Sequence, residues 1–383
     1  MSYSDIPKIV ITGGPCSGKT TFLSQIGEDL LSKGIHPFFV PEAATMVIQG
    51  GVSPSLVSPP FFQRKIAQLQ KYNEDFFNSL AEHSNLEKDL RKVILCDRGV
   101  LDGAAYVNSI EGSLVYFQRS ILLDEIHGIG LGVEEVRARY EGVIHLTTAA
   151  NGAEEFYTLA NNSARTETLE EARILDEKIK EAWLGHGHIS VVSNIQDGES
   201  ISFEEKKRIA REKIFSILGI PVPIEIEDKY ILRDFDPGII PVSYQKIGIS
   251  QTYLNPVDFG WEERVRERSW HGYRSYYHTK KRKDSRSGGR FEVERTVSLK
   301  EYLNLLERSD PSRDAILKDR YCFLFGDQYF EVDQMLGRHL GKYYLEREKT
   351  SINESTQLPD FLHIERQVTG DPLHSMGHLS LIN

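Results

Sequence analysis

Gly13-Gly-Pro-Cys-Ser-Gly-Lys-Thr, residues 13–20 of a 383-residue chain, sets two glycines five positions apart and follows the second with Lys19 and Thr20. A loop of this composition between a strand and a helix turns successive backbone N–H groups toward one point and adds the positive end of the helix, so it holds polyphosphate. Gly13, Gly14, Pro15, Cys16, Ser17, Gly18, Lys19, Thr20 and Thr21 are therefore expected to cradle a nucleotide. Lys19 would reach its β- and γ-phosphates and Thr20 would hold Mg²⁺.

A second apolar run, Val93-Ile-Leu-Cys, ends on Asp97-Arg98. A carboxylate at the C-terminal edge of a parallel strand faces the nucleotide crevice, where it can hold Mg²⁺ or accept a hydroxyl proton. An acid followed at once by Arg is the pattern of small-molecule P-loop kinases. Glu42 stands at the corresponding edge after Pro37-Phe-Phe-Val-Pro, and Arg165 precedes an acidic helix from which it could close on the phosphates. Lys19, Asp97, Arg98 and Arg165 are the expected catalytic set. The N-K-x-D motif that reads guanine is missing after the strand ending in Val192, which leaves ATP and GTP both open.

The chemistry of the second half is different. Glu225, Glu227 and Lys229 are spaced at i, i+2 and i+4, so a strand would point all three to one face. The alternation returns at Arg264 and Arg266, at Lys281, at Glu292 and Glu294, at Arg320, at Glu331 and Asp333, and at Glu346 and Glu348. Turned into a closed barrel, the bases would grip a polyphosphate while the carboxylates hold divalent cations through oxygen. Without such partners the buried charges would be costly.

These residues need particular elements to position them. From Lys8 to about Gly219, short β-branched runs (Ile9 to Thr12, Pro37 to Val40, Val93 to Cys96, Val143 to Thr147, Ile189 to Val192) alternate with helical patterns (Lys19 to Lys33, Phe62 to His83, Glu170 to Trp183). That order predicts βαβ units and a parallel, doubly wound α/β sheet, closed by a helix over Glu204 to Leu218. Gly219-Ile-Pro-Val-Pro stops that helix and makes a linker. Beyond it the period is mostly two, the signature of an antiparallel barrel. The expected divisions are a P-loop domain over 1–219, a linker at 220–223 and a tunnel domain over 224–383.

Composition narrows the partners. The chain carries 46 basic and 56 acidic side chains and a net charge of −10, which argues against a surface that grips nucleic acid throughout. Ten Lys and Arg nevertheless fall within 264–290, beside Trp270, Tyr273, Tyr276 and Tyr277. No apolar run approaches the ~18 residues of a membrane span. Three widely spaced cysteines build neither a disulfide framework nor a zinc site. A cytoplasmic location is expected, with peripheral membrane contact as an alternative.

The E-x-E-x-K opening, the R-x-R, the later Lys, the E-x-E strand, the single Arg and the closing E-x-D and E-x-E strands resemble the CYTH or triphosphate tunnel metalloenzyme family, over residues 222 to 370. That resemblance implies an eight-stranded antiparallel barrel handling triphosphate. The first half is similar to the P-loop, AAA-type family of nicotinamide-nucleotide regulator kinases, through residues 13–21, Pro41-Glu-Ala-Ala and Asp97-Arg-Gly-Val-Leu-Asp. Thr45 stands where those kinases often carry Arg. The two halves together resemble the TRPL translocation defect proteins, which implies guanine-nucleotide and phosphoinositide-headgroup binding.

Overall fold

The computed structural model describes residues 6–86, 90–107, 112–124, 128–157, 167–196, 198–220, 224–258, 260–283, 290–349 and 355–382. The chain divides into two compact units, Met1–Ile214 and Phe215–Asn383.

The first unit carries β1 (Lys8–Thr12), α1 (Lys19–Ser32), β2 (Ile35–Val40), α2 (Ala43–Gln49), α3 (Pro59–Glu82), β3 (Arg91–Asp97), α4 (Ser113–Phe117), α5 (Val133–Arg137), β4 (Gly142–Leu146), α6 (Leu169–Trp183), β5 (Ile189–Val192), the short pair β6 (Ile195–Gln196) and β7 (Glu199–Ser200), and α7 (Phe203–Ile217). Strands β1 to β5 form a parallel sheet in the order β2-β3-β1-β4-β5. Ile9 to Ile11, Val93 to Cys96, Val143 and Ile144 are all fully buried, because helices cover both faces of the sheet. Helix α1 buries Phe22, Ile26 and Leu30, one stripe at a spacing of four. Helix α3 starts at Pro59, earlier than the apolar period suggests, since proline in the first turn lacks only an N–H that has no partner there anyway. The register sets Ile11 beside Asp97 and Thr12 beside His145, so the ends of β1, β3 and β4 open on one edge.

The second unit holds β8 (Ile224–Leu232), β9 (Tyr244–Leu254), β10 (Glu262–Trp270), β11 (Tyr273–Lys283), β12 (Arg290–Val297), α8 (Leu299–Leu306), β13 (Ile316–Phe325), β14 (Gln328–Met335), β15 (Tyr343–Lys349), β16 (Ile364–Gln367) and α9 (Met376–Leu379). All pairings are antiparallel, in the order β12-β11-β10-β9-β13-β14-β15-β8-β16, and β12 also pairs with β8 at Arg290–Glu225 and Phe291–Ile224. One face of the sheet packs apolar clusters: Tyr230, Leu232, Phe323, Phe330, Val332 and Leu345 in one, and Leu254, Val265, Val297 and Tyr302 under α8 in another. Period two then sends the charged residues to the opposite face. Among the described residues no helix is long and apolar enough to cross a membrane.

Candidate functional site

The loop after β1 is held open by glycine and tied from behind. The Gly14 N–H donates to Asp176 Oδ1 at 2.7 Å, and a methyl group on Gly14 would come to the same 2.7 Å from that oxygen, closer than a side chain tolerates. Asp176, on α6, also accepts from Thr148 N–H at 3.2 Å and lies 3.0 Å from His145 Nε2. Burial alone would raise the Asp176 carboxyl, but His145, Lys180 and these hydrogen bonds hold it well below the usual carboxylate range. Lys19 Nζ sits inside the loop and donates to Gly13 O at 3.0 Å and Ser17 Oγ at 3.2 Å. Burial and the neighbouring Arg98 push it down to about 8, against the attraction of Asp97 and Glu42. Thr20 and Thr21 are exposed.

Asp97 ends β3 as expected, and its Oδ1 is buried without a hydrogen-bond partner. Burial and Glu42 raise its carboxyl while Lys19 and Arg98 oppose the shift. Arg98 adopts a left-handed backbone, φ 68°, a strained state for a non-glycine residue at an active edge. Its guanidinium is engaged at two points, Nε on Glu42 Oε1 at 2.6 Å and Nη1 on Asp102 Oδ2 at 3.3 Å. Glu42 precedes α2 and accepts a second bond from Thr45 Oγ1 at 2.7 Å. Burial opposes its ionisation, yet Arg98 and Lys19 keep its carboxyl below the ordinary value. Asp102 further accepts from Thr12 Oγ1 and from Trp183 Nε1, each at 2.6 Å. Lys19, Glu42, Asp97 and Arg98 therefore do converge. Arg165 lies outside the described residues.

On the second sheet, Lys229 Nζ meets Glu346 Oε1 at 2.7 Å. Arg320 reaches Asp333 Oδ1 at 2.6 Å and Glu346 Oε2 at 2.7 Å, and also bonds Glu331. Lys318 bonds Asp333, and burial beside Arg320 pushes its amine down to about 8. Arg266 faces Gln251 at 3.4 Å and Glu294 at 3.6 Å. Burial lowers the Arg266 guanidinium, and Arg264, Arg320 and Arg268 add like-charge repulsion that Glu294 only partly offsets. Arg264 and Lys281 are buried, and the register puts them on this same face. Glu227 stands opposite Glu348, which is exposed. The side chains of Glu225 and Glu292 lie outside the described residues. Among the described residues no three His, Cys, Asp or Glu group into a metal centre. Two aromatics of the basic segment are committed to the fold: Trp270 is buried and hydrogen-bonded to Gln245, and the Tyr276 ring packs 4.7 Å from that of Tyr302.

Residues 8–200, half of the chain, match the family described as AAA domain. The chain belongs to the AAA domain family. No curated protein matches it. Among solved structures it is similar to the inorganic triphosphatase NE1496, at 22% identity over 42% of this chain and 95% of that one, with a TM-score of 0.30. PH1819 from Pyrococcus horikoshii OT3 is 20% identical over 32% and 76%, TM-score 0.25. HpAC1 from Hippeastrum, described with a dominant triphosphatase activity, is 15% identical over 33% and 80%, TM-score 0.26.

The AAA domain also contains site residues that motif reading passes over. Asp102 and Trp183 meet from positions 81 residues apart, and Asp176 meets Gly14 across 162. No local pattern marks either pair, although the buried acid in the middle of α6 is a signal in retrospect. Lys318 shares the alternation of Arg320 and could have been chosen with it.

Proposed function

We propose that the AAA domain binds ATP or GTP and uses the Lys19–Asp97 edge for Mg²⁺-dependent transfer or hydrolysis of the γ-phosphate. One observation carries this reading: the buried, unpartnered Asp97 Oδ1 set beside a loop that already holds a lysine ammonium among its carbonyls. Mg²⁺ fits there, with Thr20 and Asp97 to hold it, and when bound it would neutralise phosphate charge. Lys19 exchanges its carbonyl partners for phosphate oxygens. Alternatively, where it does not hold the ion, Asp97, its carboxyl raised by burial, is suited to accept an acceptor's hydroxyl proton. Arg98, clamped by Glu42 and Asp102, acts from where it stands, and positioning with charge neutralisation supplies most of the rate.

The second domain, over 224–383, is read as the tunnel, a reading supported by the additional pairing of β12 with β8. Lys229, Arg264, Arg266, Lys281 and Arg320 would grip triphosphate, polyphosphate or a phosphorylated headgroup such as that of a phosphoinositide. The combination of domains supports membership of the TRPL translocation defect family. Turnover of ATP and GTP by the full chain tests the first half: Asp97→Asn should retain nucleotide binding and lose turnover. Unchanged turnover would reduce Asp97 to a structural acid.

A further inference from the structure

Three loops are laced around the phosphate loop on the same edge of the sheet. After β4, Ala149 N–H donates to Cys16 O at 3.3 Å, and Thr148 Oγ1 bonds Pro15 O. After β5, Asn194 Nδ2 donates to Thr148 O at 2.8 Å and Asn151 O at 2.7 Å. The β6–β7 pair is then anchored by Ser200 Oγ on Gly152 O at 3.3 Å, and the chain enters α7 at Phe203. The Phe203 ring comes back against the phosphate loop itself: a methyl group on Gly18, which has φ 88°, would lie only 2.4 Å from it. Its neighbour Lys207 places Nζ 5.1 Å from the ring centroid.

Two apolar side chains of this edge stay open to solvent. Phe203, at the start of α7, is 40% exposed and Ile195, in β6, is 42% exposed. Ile195 overhangs Gly152, whose added methyl group would meet Ile195 Cγ1 at 2.7 Å. Asn194 on this edge gives its amide hydrogens to two carbonyls and accepts from Lys206 Nζ at 2.7 Å. An open aromatic ring touching the residue before the phosphate-binding lysine is suited to a flat apolar group joined to a phosphate chain.

We infer that Phe203 is the platform on which the nucleobase stacks, so that this site takes a nucleotide by the π-face of its base. The inference rests on the P-loop assignment above. Stacking on an aromatic side chain is sequence-tolerant because every base offers a face. It adds affinity only when a base is present, and this makes it separable from the phosphate contacts.

The test measures binding of Mg²⁺ complexes of ATP, GTP and tripolyphosphate to the full chain by calorimetry, with Lys19→Ala defining the part of each signal that belongs to the phosphate loop. For that part, Phe203→Ala should weaken ATP and GTP about tenfold, within the range of one lost stacking contact. Tripolyphosphate should bind it as it binds the parent, and Phe203→Trp should restore the nucleotides. Equal weakening of tripolyphosphate and nucleotides would show that the ring only props Gly18, and unchanged nucleotide binding would put the base elsewhere; either result overturns the inference while the P-loop assignment stands. If Lys19→Ala changes no ligand, the assignment and the inference fall together.

Discussion

The two charged regions of this chain handle the same problem in opposite ways. In the AAA domain, Lys19 rests on loop carbonyls, and Asp97 keeps a buried oxygen without any partner. On the second sheet, Lys229, Lys318 and Arg320 are already paired with Glu331, Asp333 and Glu346. The first region is preorganised for a ligand that brings its own charge. In the second, a polyphosphate would have to compete with internal ion pairs, so part of its binding energy would go into rearranging them. The difference says that a motif held by backbone can stay poised without its ligand, whereas charges facing one another across a sheet neutralise each other meanwhile.

That contrast can be broken most directly at the phosphate loop. Lys19→Ala should lower nucleotide affinity of the AAA domain by about two orders of magnitude without changing the fold, because it removes the side-chain cation of the loop. Titration calorimetry beside circular dichroism checks this, and parent-like affinity would refute it. Next comes Arg320→Ala, which removes the cation on Glu331 and leaves Asp333 and Glu346 to Lys318 and Lys229 alone. A loss of about 3–5 kcal/mol is expected for breaking such a set, seen as a lowered denaturation midpoint of the second unfolding transition. A variant as stable as the parent would mean that the acids are solvated there.

A smaller effect sharpens the reading of the second face. Tripolyphosphate at a hundredfold above its dissociation constant should stabilise that domain by about 2.7 kcal/mol. Arg266→Ala should remove the shift in melting temperature, while Val265→Ala, whose side chain packs against Leu254, Val297 and Tyr302, should keep the shift on a lower baseline. Equal loss in both would make the alternation a solvated coat.

Last is a pH dependence of opposite sign for stability and binding. Lys19 and Lys318 both fall to about 8 in the folded chain, against 10.5 when unfolded. Between these values the unfolded chain holds more protons, so both lysines make stability rise with pH from about 8 to about 10.5. Nucleotide affinity should fall over the same window as Lys19 loses its charge. Parallel trends in the two measurements would contradict the placement of Lys19.

Much of this was legible in the chain itself. The 13–20 loop, Asp97 at a strand edge and the two-residue alternation each follow from local spacing, and the strand and helix order follows from apolar period. Glu42 was visible only as an edge residue, and its clamp on Arg98 depends on two strand ends meeting across 56 positions. Asp102, Asp176, His145 and Trp183 were not legible, because what they do is set by partners that only the folded sheet brings near. Arg98 was read as a catalytic cation from its place after Asp97. Its unusual backbone and double anchoring are tertiary facts that no dipeptide discloses.

Asp102 takes hydrogen bonds from Thr12 on β1, from Arg98 after β3 and from Trp183 on α6, so one carboxylate is shared by three separate pieces of chain. None of these pieces can loosen alone without stripping a partner from a buried acid. Their amide protons should therefore exchange with solvent as one cooperative block, at a rate set by the opening of the whole block. A change at Trp183, remote in sequence from the phosphate loop, would then be registered at both ends of the site together, as a common acceleration of exchange in the 8–12 and 91–98 segments.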